Sequence, residues 1–404
     1  MPANSNDIND INDTNDTNTN DTNTNDTNTN DTIDTIDNGA QGATRQGDDQ
    51  RDHQHVNQHH GGDLQRAASD YGIALEHWLD LSTGIAPWGW PVGAIPDAVW
   101  QRLPQVNCPL QAPAAAYYGC QRAAVLAVPG SQYVIQTLPA LFAGLTVALP
   151  DRGYFEHRRA WTEAGHRVLD YGHDQLPSLD RLIRQGRVDA VLVINPNNPT
   201  TVCVERELLL QWREILAQRG GVLIVDEAFM DLPEGNSLAA DCPLPALVVL
   251  RSVGKFFGLA GLRLGFALSD AMVQTQLQQR LGPWAVSGPA QYIGCQALLD
   301  RNWQRQQRQR IAQMTALQLQ AMTRALQAQL DSGQWRLLPG PLFISLLLPS
   351  ACGAALFEAL AARAILIRRF DYGAEACLRF ALPASEQQCR QLQSSLVDAL
   401  NESA

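Results

Sequence analysis

Lysine is almost missing from this chain. Of 30 Lys and Arg among 404 residues, only Lys255 is lysine. A guanidinium stays protonated in proteins, so one lysine kept among arginines points to amine chemistry: a tuned ammonium can lose its proton and attack a carbonyl to give a Schiff base. A leftover surface lysine is the alternative. Also missing is any C-x-x-C pair among the eight cysteines at 108, 120, 203, 242, 295, 352, 377 and 389, which favours free thiols over disulfides or metal sites. Long apolar runs are absent too. Stretches such as Leu138 to Pro150 are broken by Pro, Gly and Thr and fall short of the roughly 20 residues a bilayer span needs.

A basic excess is likewise lacking. Residues 1–60 carry 12 Asp, no Glu and two Arg, a net of -10 out of the chain's -11, which leaves the remainder nearly neutral and without a nucleic-acid footprint. Residues 1–59 are Asn/Asp/Thr repeats with too few apolar groups to offset the entropy of ordering, so a disordered tail is expected. They hold neither the apolar core nor the Arg-rich amphipathic helix of a targeting signal, which predicts a soluble cytoplasmic protein. His53, His55, His59 and His60 crowd the tail's end and read as polar linker rather than a metal site.

What is present centres on Arg251 to Phe266, RSVGKFFGLAGLRLGF, which follows the apolar run Ala246 to Leu250. An apolar strand ending in a polar, Gly-containing turn is where α/β sheets place ligand groups. Ser252 precedes the lysine by three residues and Arg263 follows it by eight. A hydroxyl and a guanidinium beside an imine-forming amine suit a cofactor carrying both an aldehyde and a phosphate, and pyridoxal phosphate is that cofactor. The segment resembles the fold-type I pyridoxal-phosphate enzymes of the aspartate aminotransferase superfamily, with their S-x-x-K and downstream G-x-R pattern. The resemblance spans roughly His60 to the C-terminus. It implies an α/β fold with a large, doubly wound, mostly parallel sheet domain and a smaller α+β domain. The expected division is an N-terminal arm with part of the small domain over 60–95, the cofactor domain over 96–290, and a connecting helix with the small domain over 291–404.

Further segments fit the same family. After VLAV, Gly130, Ser131 and Gln132 open a helix, where backbone N–H groups can take a phosphate; an ordinary Ser131 cap is the alternative. Tyr154, just past the strand LTVALP, stands where relatives stack a ring on the pyridine, a plain buried Tyr being the alternative. His157 reads as structural. The run VDAVLVINPNNPTT ends in a sharp turn, and Asn198 takes the place of the family Asn that bonds the cofactor's phenolic oxygen, with Thr201 replacing the usual Gly. Asp226 ends the apolar strand GVLIVD, where an unpaired carboxylate would be costly. It suits a pyridinium nitrogen, against a structural salt bridge to some Arg. Tyr154, Asp226 and Lys255 are the expected catalytic residues.

The opening HGG at 60–62 and DLSTGIAP at 80–87 resemble the L-threonine-O-3-phosphate decarboxylase branch, although Ala86 replaces its Asn. Phe229 stands where transaminating relatives carry Tyr, which moves the reading the same way. Arg379 in CLRFALP resembles the arginine that forks onto the substrate carboxylate, and Arg368 sits where phosphate-substrate relatives hold a second anion, with Arg369 equally placed. The resemblance implies a lyase of cobalamin biosynthesis acting on a small phosphorylated amino acid, as a homodimer. Leu103 in RLP, where relatives carry a phosphate-reaching Tyr, does not support a site shared between subunits. A histidinol-phosphate-type aminotransferase is the alternative activity. A non-catalytic sensor of the same fold is the second, disfavoured because no DNA-binding segment is read before residue 60. Helices are predicted over 205–219, 289–330, 351–363 and 385–400.

Overall fold

The computed structural model describes residues 61–104, 109–232, 235–331 and 333–403. The tail at 1–59, its four histidines and Cys108 lie outside these residues.

Among the described residues, thirteen strands form three sheets. They are β1 (Leu79–Asp80), β2 (Val125–Val128), β3 (Thr146–Pro150), β4 (Arg167–Tyr171), β5 (Ala190–Ile194), β6 (Val222–Asp226), β7 (Leu247–Ser252), β8 (Gly265–Ser269), β9 (Arg336–Pro339), β10 (Phe343–Pro349), β11 (Ile365–Leu366), β12 (Arg368–Tyr372) and β13 (Glu375–Ala381). The large sheet runs β2-β8-β7-β6-β5-β3-β4; the pairs from β4 to β7 are parallel, while β8 lies antiparallel to both neighbours. Its central strands are apolar at every position because both faces are covered. Val191, Val193, Leu223, Val225 and Val249 point into one core cluster, while Leu192, Ile194, Ile224, Val248 and Leu250 point into another. That alternation assigns faces at the strand ends. Asp226 and Ser252 continue the second side, Glu227 and Arg251 the first.

From β3 the chain steps outward to β4, then returns past β3 to build β5, β6 and β7 in the opposite direction. The carboxyl ends of β3 and β5 therefore flank a topological switch point, the crevice where open α/β sheets bind ligands. The smaller unit is an antiparallel sheet, β12-β13-β10-β9, with helices Ser350–Ala361 and Glu386–Ser403 enclosing a core of Leu346, Leu378, Phe380 and Leu396. The first described residues join this unit: β1 pairs in parallel with β11, and Ala381 N donates to Leu81 O at 2.8 Å.

The helical stretch expected over 289–330 is two helices, Gly288–Leu299 and Arg301–Gln327. Asp300 causes the break. Its side chain accepts from Trp303 N to cap the second helix, and its other oxygen accepts from Trp90 Nε1 at 3.1 Å, fixing the bend against the N-terminal arm. The long second helix is anchored by buried glutamines: Gln307 donates to Trp88 O and Phe256 O, and Gln318 to Ala381 O. No helix among the described residues is long and apolar enough to cross a membrane, and the seven described cysteines are free.

Candidate active site

The strand order brings the sequence-expected groups to one rim. Tyr154 follows β3, Asn198 follows β5, Asp226 ends β6, and Ser252 and Lys255 lie at and just beyond the end of β7. The loop holding Lys255 is pinned by the N-terminal arm, where Ala86 N donates to Lys255 O (3.0 Å) and Trp90 N to Phe257 O (2.9 Å). Those are backbone bonds, so Ala86 in place of Asn leaves them intact.

Lys255 Nζ lies 5.3 Å above the Phe229 ring and hydrogen-bonds to no described residue. Its pKa is lowered to about 8, chiefly by burial and then by the Arg379 and Arg263 charges, against an opposing pull from Asp226. Such an amine is a competent nucleophile near neutral pH.

Asp226 is only 4% exposed. Its Oδ1 accepts from Ala228 N at 3.0 Å, and its Oδ2 lies 2.9 Å from His157 Nε2 on helix Phe155–Glu163. His157, read from the sequence as scaffold, thus touches the acid directly. The carboxylate is answered by an imidazole rather than by an arginine.

The expected phosphate cradle closes around glycines. Gly130, at φ 82°, is in a backbone conformation that strains any side chain, and it lies against Arg263, since an added Cβ would come within 2.8 Å of Arg263 Nη2. Gly265 in turn lets the Ser131 N–H approach β8, since a Cβ there would meet that nitrogen at 2.6 Å, and Gly265 pairs with Ser252 in register. Gly130, Ser131, Ser252 and Arg263 therefore converge. Gln132 contributes differently. Its side chain accepts from Tyr154 OH at 3.1 Å and donates to Glu156 at 2.9 Å, so its amide holds the aromatic ring in place. Burial and Glu156 push the Tyr154 hydroxyl up to about 12.

Asn195 and Asn197 are spent on the turn itself, bonding Val204 and Arg152 O respectively. Asn198 is left facing the crevice. Arg379 Nη1 donates to its Oδ1 at 2.6 Å, which leaves the Asn198 amide N–H₂ to donate elsewhere. Thr201 holds the turn at φ 62°, the backbone a glycine would adopt.

Arg379 is buried, donates also to Ser82 O at 2.5 Å, and has a buried Nε without a partner. Arg368 stands directly opposite it across β12 and β13. Burial and the Arg368 charge lower the Arg379 pKa to about 10. Like charges held face to face destabilise a sheet unless an anion joins them. Arg369, equally placed by sequence, points the other way and pairs with Asp371 at 2.8 Å. Ser82 and Phe343, which support Arg379 from the arm and from β10, carried no signal in the sequence.

The donor set fits pyridoxal phosphate: an unpartnered amine for the aldehyde, the Gly130–Arg263 cradle for the phosphate, a buried acid for the ring nitrogen, and Tyr154 for the ring face. No group of three or more His, Cys, Asp or Glu among the described residues is placed to hold a metal.

This fold and rim define a class. The chain belongs to the aminotransferase class I and II family, whose model matches residues 106–396. It is 45% identical to the threonine-phosphate decarboxylase of Pseudomonas aeruginosa over 84% of this chain and 97% of that protein. It is 39% identical to a threonine-phosphate decarboxylase of Sinorhizobium sp. over 83% and 97% respectively. The structure of histidinol-phosphate aminotransferase from Sinorhizobium meliloti in complex with pyridoxal-5'-phosphate superposes with a TM-score of 0.70 at 19% identity, covering 84% of this chain and 95% of that one, a likeness of fold.

Proposed function

We propose that the chain is a pyridoxal-phosphate-dependent lyase that decarboxylates L-threonine O-3-phosphate to (R)-1-amino-2-propanol O-2-phosphate and carbon dioxide in cobalamin biosynthesis. The observation that carries this reading is the placement of the Lys255 amine, without a hydrogen-bond partner among the described residues, facing Asp226, Arg263 and Arg379, with Arg368 opposite Arg379 across β12 and β13. An amine poised for a carbonyl and two guanidiniums aimed at one space suit an amino acid that also bears a phosphate. The two relatives of the same printed activity, each matched over nearly its whole length, support it.

When bound, pyridoxal phosphate supplies the aldehyde and the electron-accepting ring. Every other step falls to the protein. Lys255 would hold the cofactor through its amine. Asp226, steadied by His157 and Ala228 N, would keep the ring nitrogen protonated. Gly130, Ser131, Ser252 and Arg263 would hold the cofactor phosphate, Tyr154 would lie against the ring, and the Asn198 amide would donate to the phenolic oxygen. Arg379 and Arg368 would bind the two substrate anions and so fix how the substrate lies in the site. As carbon dioxide leaves, Lys255, with a pKa near 8, returns a proton to the α-carbon. Phe229 offers no hydroxyl to the phenolic oxygen, which favours this lyase reading over a histidinol-phosphate-type aminotransferase.

We also place the enzyme in the cytoplasm as a homodimer. A groove of about 870 Å³ lined by Val92, Trp100, Leu103, Leu259 and Trp284 offers an apolar face for a second copy. Leu103, 68% exposed, would then contribute packing in place of a phosphate contact.

Incubation with threonine phosphate tests the assignment: released carbon dioxide with no requirement for a keto acid is expected. Glutamate formed from histidinol phosphate and 2-oxoglutarate would replace it with the aminotransferase, and cofactor binding without turnover of either substrate would leave the sensor.

A further inference from the structure

Back to back with the site, on the other face of the same strand ends, lies a second buried charge cluster. The register Asp226↔Leu250 sets Glu227 beside Arg251 one residue further on, and Glu227 N donates to Leu250 O at 2.9 Å where the ladder between β6 and β7 ends. Arg251 Nη1 donates to Glu227 Oε2 at 2.7 Å, and its Nη2 to Asp231 Oδ1 at 2.9 Å. Its guanidinium lies 4.5 Å over the Tyr118 ring. Tyr117 OH donates to Asp231, while Ser237 Oγ and Leu238 N donate to Glu227.

Two adjacent residues of helix Arg301–Gln327 complete the arrangement. Arg308 Nε donates to Asp231 O at 3.2 Å, and Gln307 Nε2 to Phe256 O at 3.1 Å. The backbone just past Lys255 and the loop just past Asp226 are thus gripped from one helix, while Arg251 ties the two strand ends together. Well-packed apolar side chains would fill this volume at equal or lower cost, because burying three charges is expensive. What apolar packing lacks is direction. A planar guanidinium with two carboxylates fixes both distance and angle.

We propose that Arg251, with Glu227 and Asp231, is a positioning residue that sets the separation of the Lys255 amine from the Asp226 carboxylate. The inference rests on the site reading above. Arg251 lies four residues before Lys255 and Glu227 directly follows Asp226, so any slip of one strand end against the other moves the two reacting groups apart. It leaves the Arg368 and Arg379 anchors, which belong to the smaller sheet, where they are.

The test uses the cofactor-loaded enzyme with Arg251→Lys, which keeps the charge and loses the fork, and Glu227→Gln, which keeps the shape and loses the charge. Expected for Arg251→Lys is a fall in kcat of about 10- to 100-fold, the scale of an ångström-level misplacement. KM for threonine phosphate should stay within about twofold, since the substrate anchors are untouched, and visible absorption should be lost faster on dilution. Glu227→Gln should move the same quantities in the same direction by less. Lys255 is the only ε-amine in the chain, so amine-selective acylation of the cofactor-free protein, followed by peptide mapping, reports on it directly. It faces Asp226, Arg263 and Arg379, and its acylation midpoint should differ between wild type and Glu227→Gln. A lower thermal midpoint with wild-type kcat, cofactor release and acylation would overturn the proposal, leaving a cluster that only holds the fold. If Arg251→Lys does not fold, Glu227→Gln decides by the same readouts. Should the wild type release no carbon dioxide from threonine phosphate, the substrate assignment fails, while acylation and cofactor release still judge the clamp.

Discussion

Asp226 and Glu227 are neighbours in sequence, both buried, and they lead opposite lives. On one face of the sheet, Glu227 and Asp231 meet Arg251 in a cluster whose charges answer one another within the protein. On the other, Lys255 faces Asp226 together with Arg263 and Arg379, Asp226's own contacts are a histidine and a backbone N–H, and no Asp or Glu among the described residues forms an ion pair with any of the three cations. Buried charge is tolerated only when it is compensated. The first cluster is compensated by the chain itself; the second is arranged for something that arrives bearing a phosphate, a carboxylate and a carbonyl.

The largest way to break that contrast is to remove the amine. Lys255→Ala should abolish the visible absorption of the cofactor-loaded protein and lower turnover by about 10⁴-fold, the upper range for a lost acid–base group. A retained visible band would remove the central assignment. Asp226→Ala comes next, with weaker cofactor binding by absorbance titration and turnover down about 10³-fold. Unchanged kinetics would make Asp226 as structural as its neighbour.

Protonation offers a sharper comparison. The Lys255 pKa falls from an ordinary 10.5 to about 8 in the folded protein. Below pH 8 both folded and unfolded chains are protonated and the full burial cost is present. Between about 8 and 10.5 the folded chain releases its proton first, so stability rises with pH. In cofactor-free protein, Lys255→Met should therefore be more stable than wild type at pH 7, by roughly 3 kcal/mol, and that lead should close as pH passes 10.5. Denaturant unfolding at several pH values measures it, and a constant difference would mean the amine is not desolvated. Smaller again, Arg379→Lys should lower kcat/KM for threonine phosphate by about 10- to 100-fold, because a point charge cannot fork onto a carboxylate while holding Asn198 and Ser82.

The site side of this comparison is largely legible in the sequence. Apolar runs at Ala190–Ile194, Val222–Asp226 and Leu247–Ser252 announce strands covered on both faces, and polar residues at their ends announce a rim. What stayed hidden depends on facing and on distance through space. Nothing in FEHRRAW tells that His157 reaches Asp226 across 69 positions. Arg368 and Arg369 differ only in which side of β12 they occupy, and a period of two cannot say which side is inward until the partner strand is known. The arm's grip on Lys255 runs through backbone bonds at Ala86 and Trp90, which leave no mark in residue type. Arg251 and Glu227 are brought together only by the β6–β7 register, which no local pattern reveals.

That register also supplies the mildest test. Tyr117 OH reaches Asp231 Oδ1 at 3.0 Å at the edge of the compensated cluster, while Arg251 continues to hold the same oxygen at 2.9 Å. Tyr117→Phe removes one hydrogen bond and keeps the ring's packing against Tyr118 and Phe257. The expected loss is about 1 kcal/mol of unfolding free energy by denaturant titration. Turnover and cofactor affinity should stay at wild-type values, because the guanidinium fork that ties β6 to β7 remains whole. If kcat fell with it, the edge of the cluster would also be governing the site, and the division between the two faces of the strand end would have to be drawn further from Asp226.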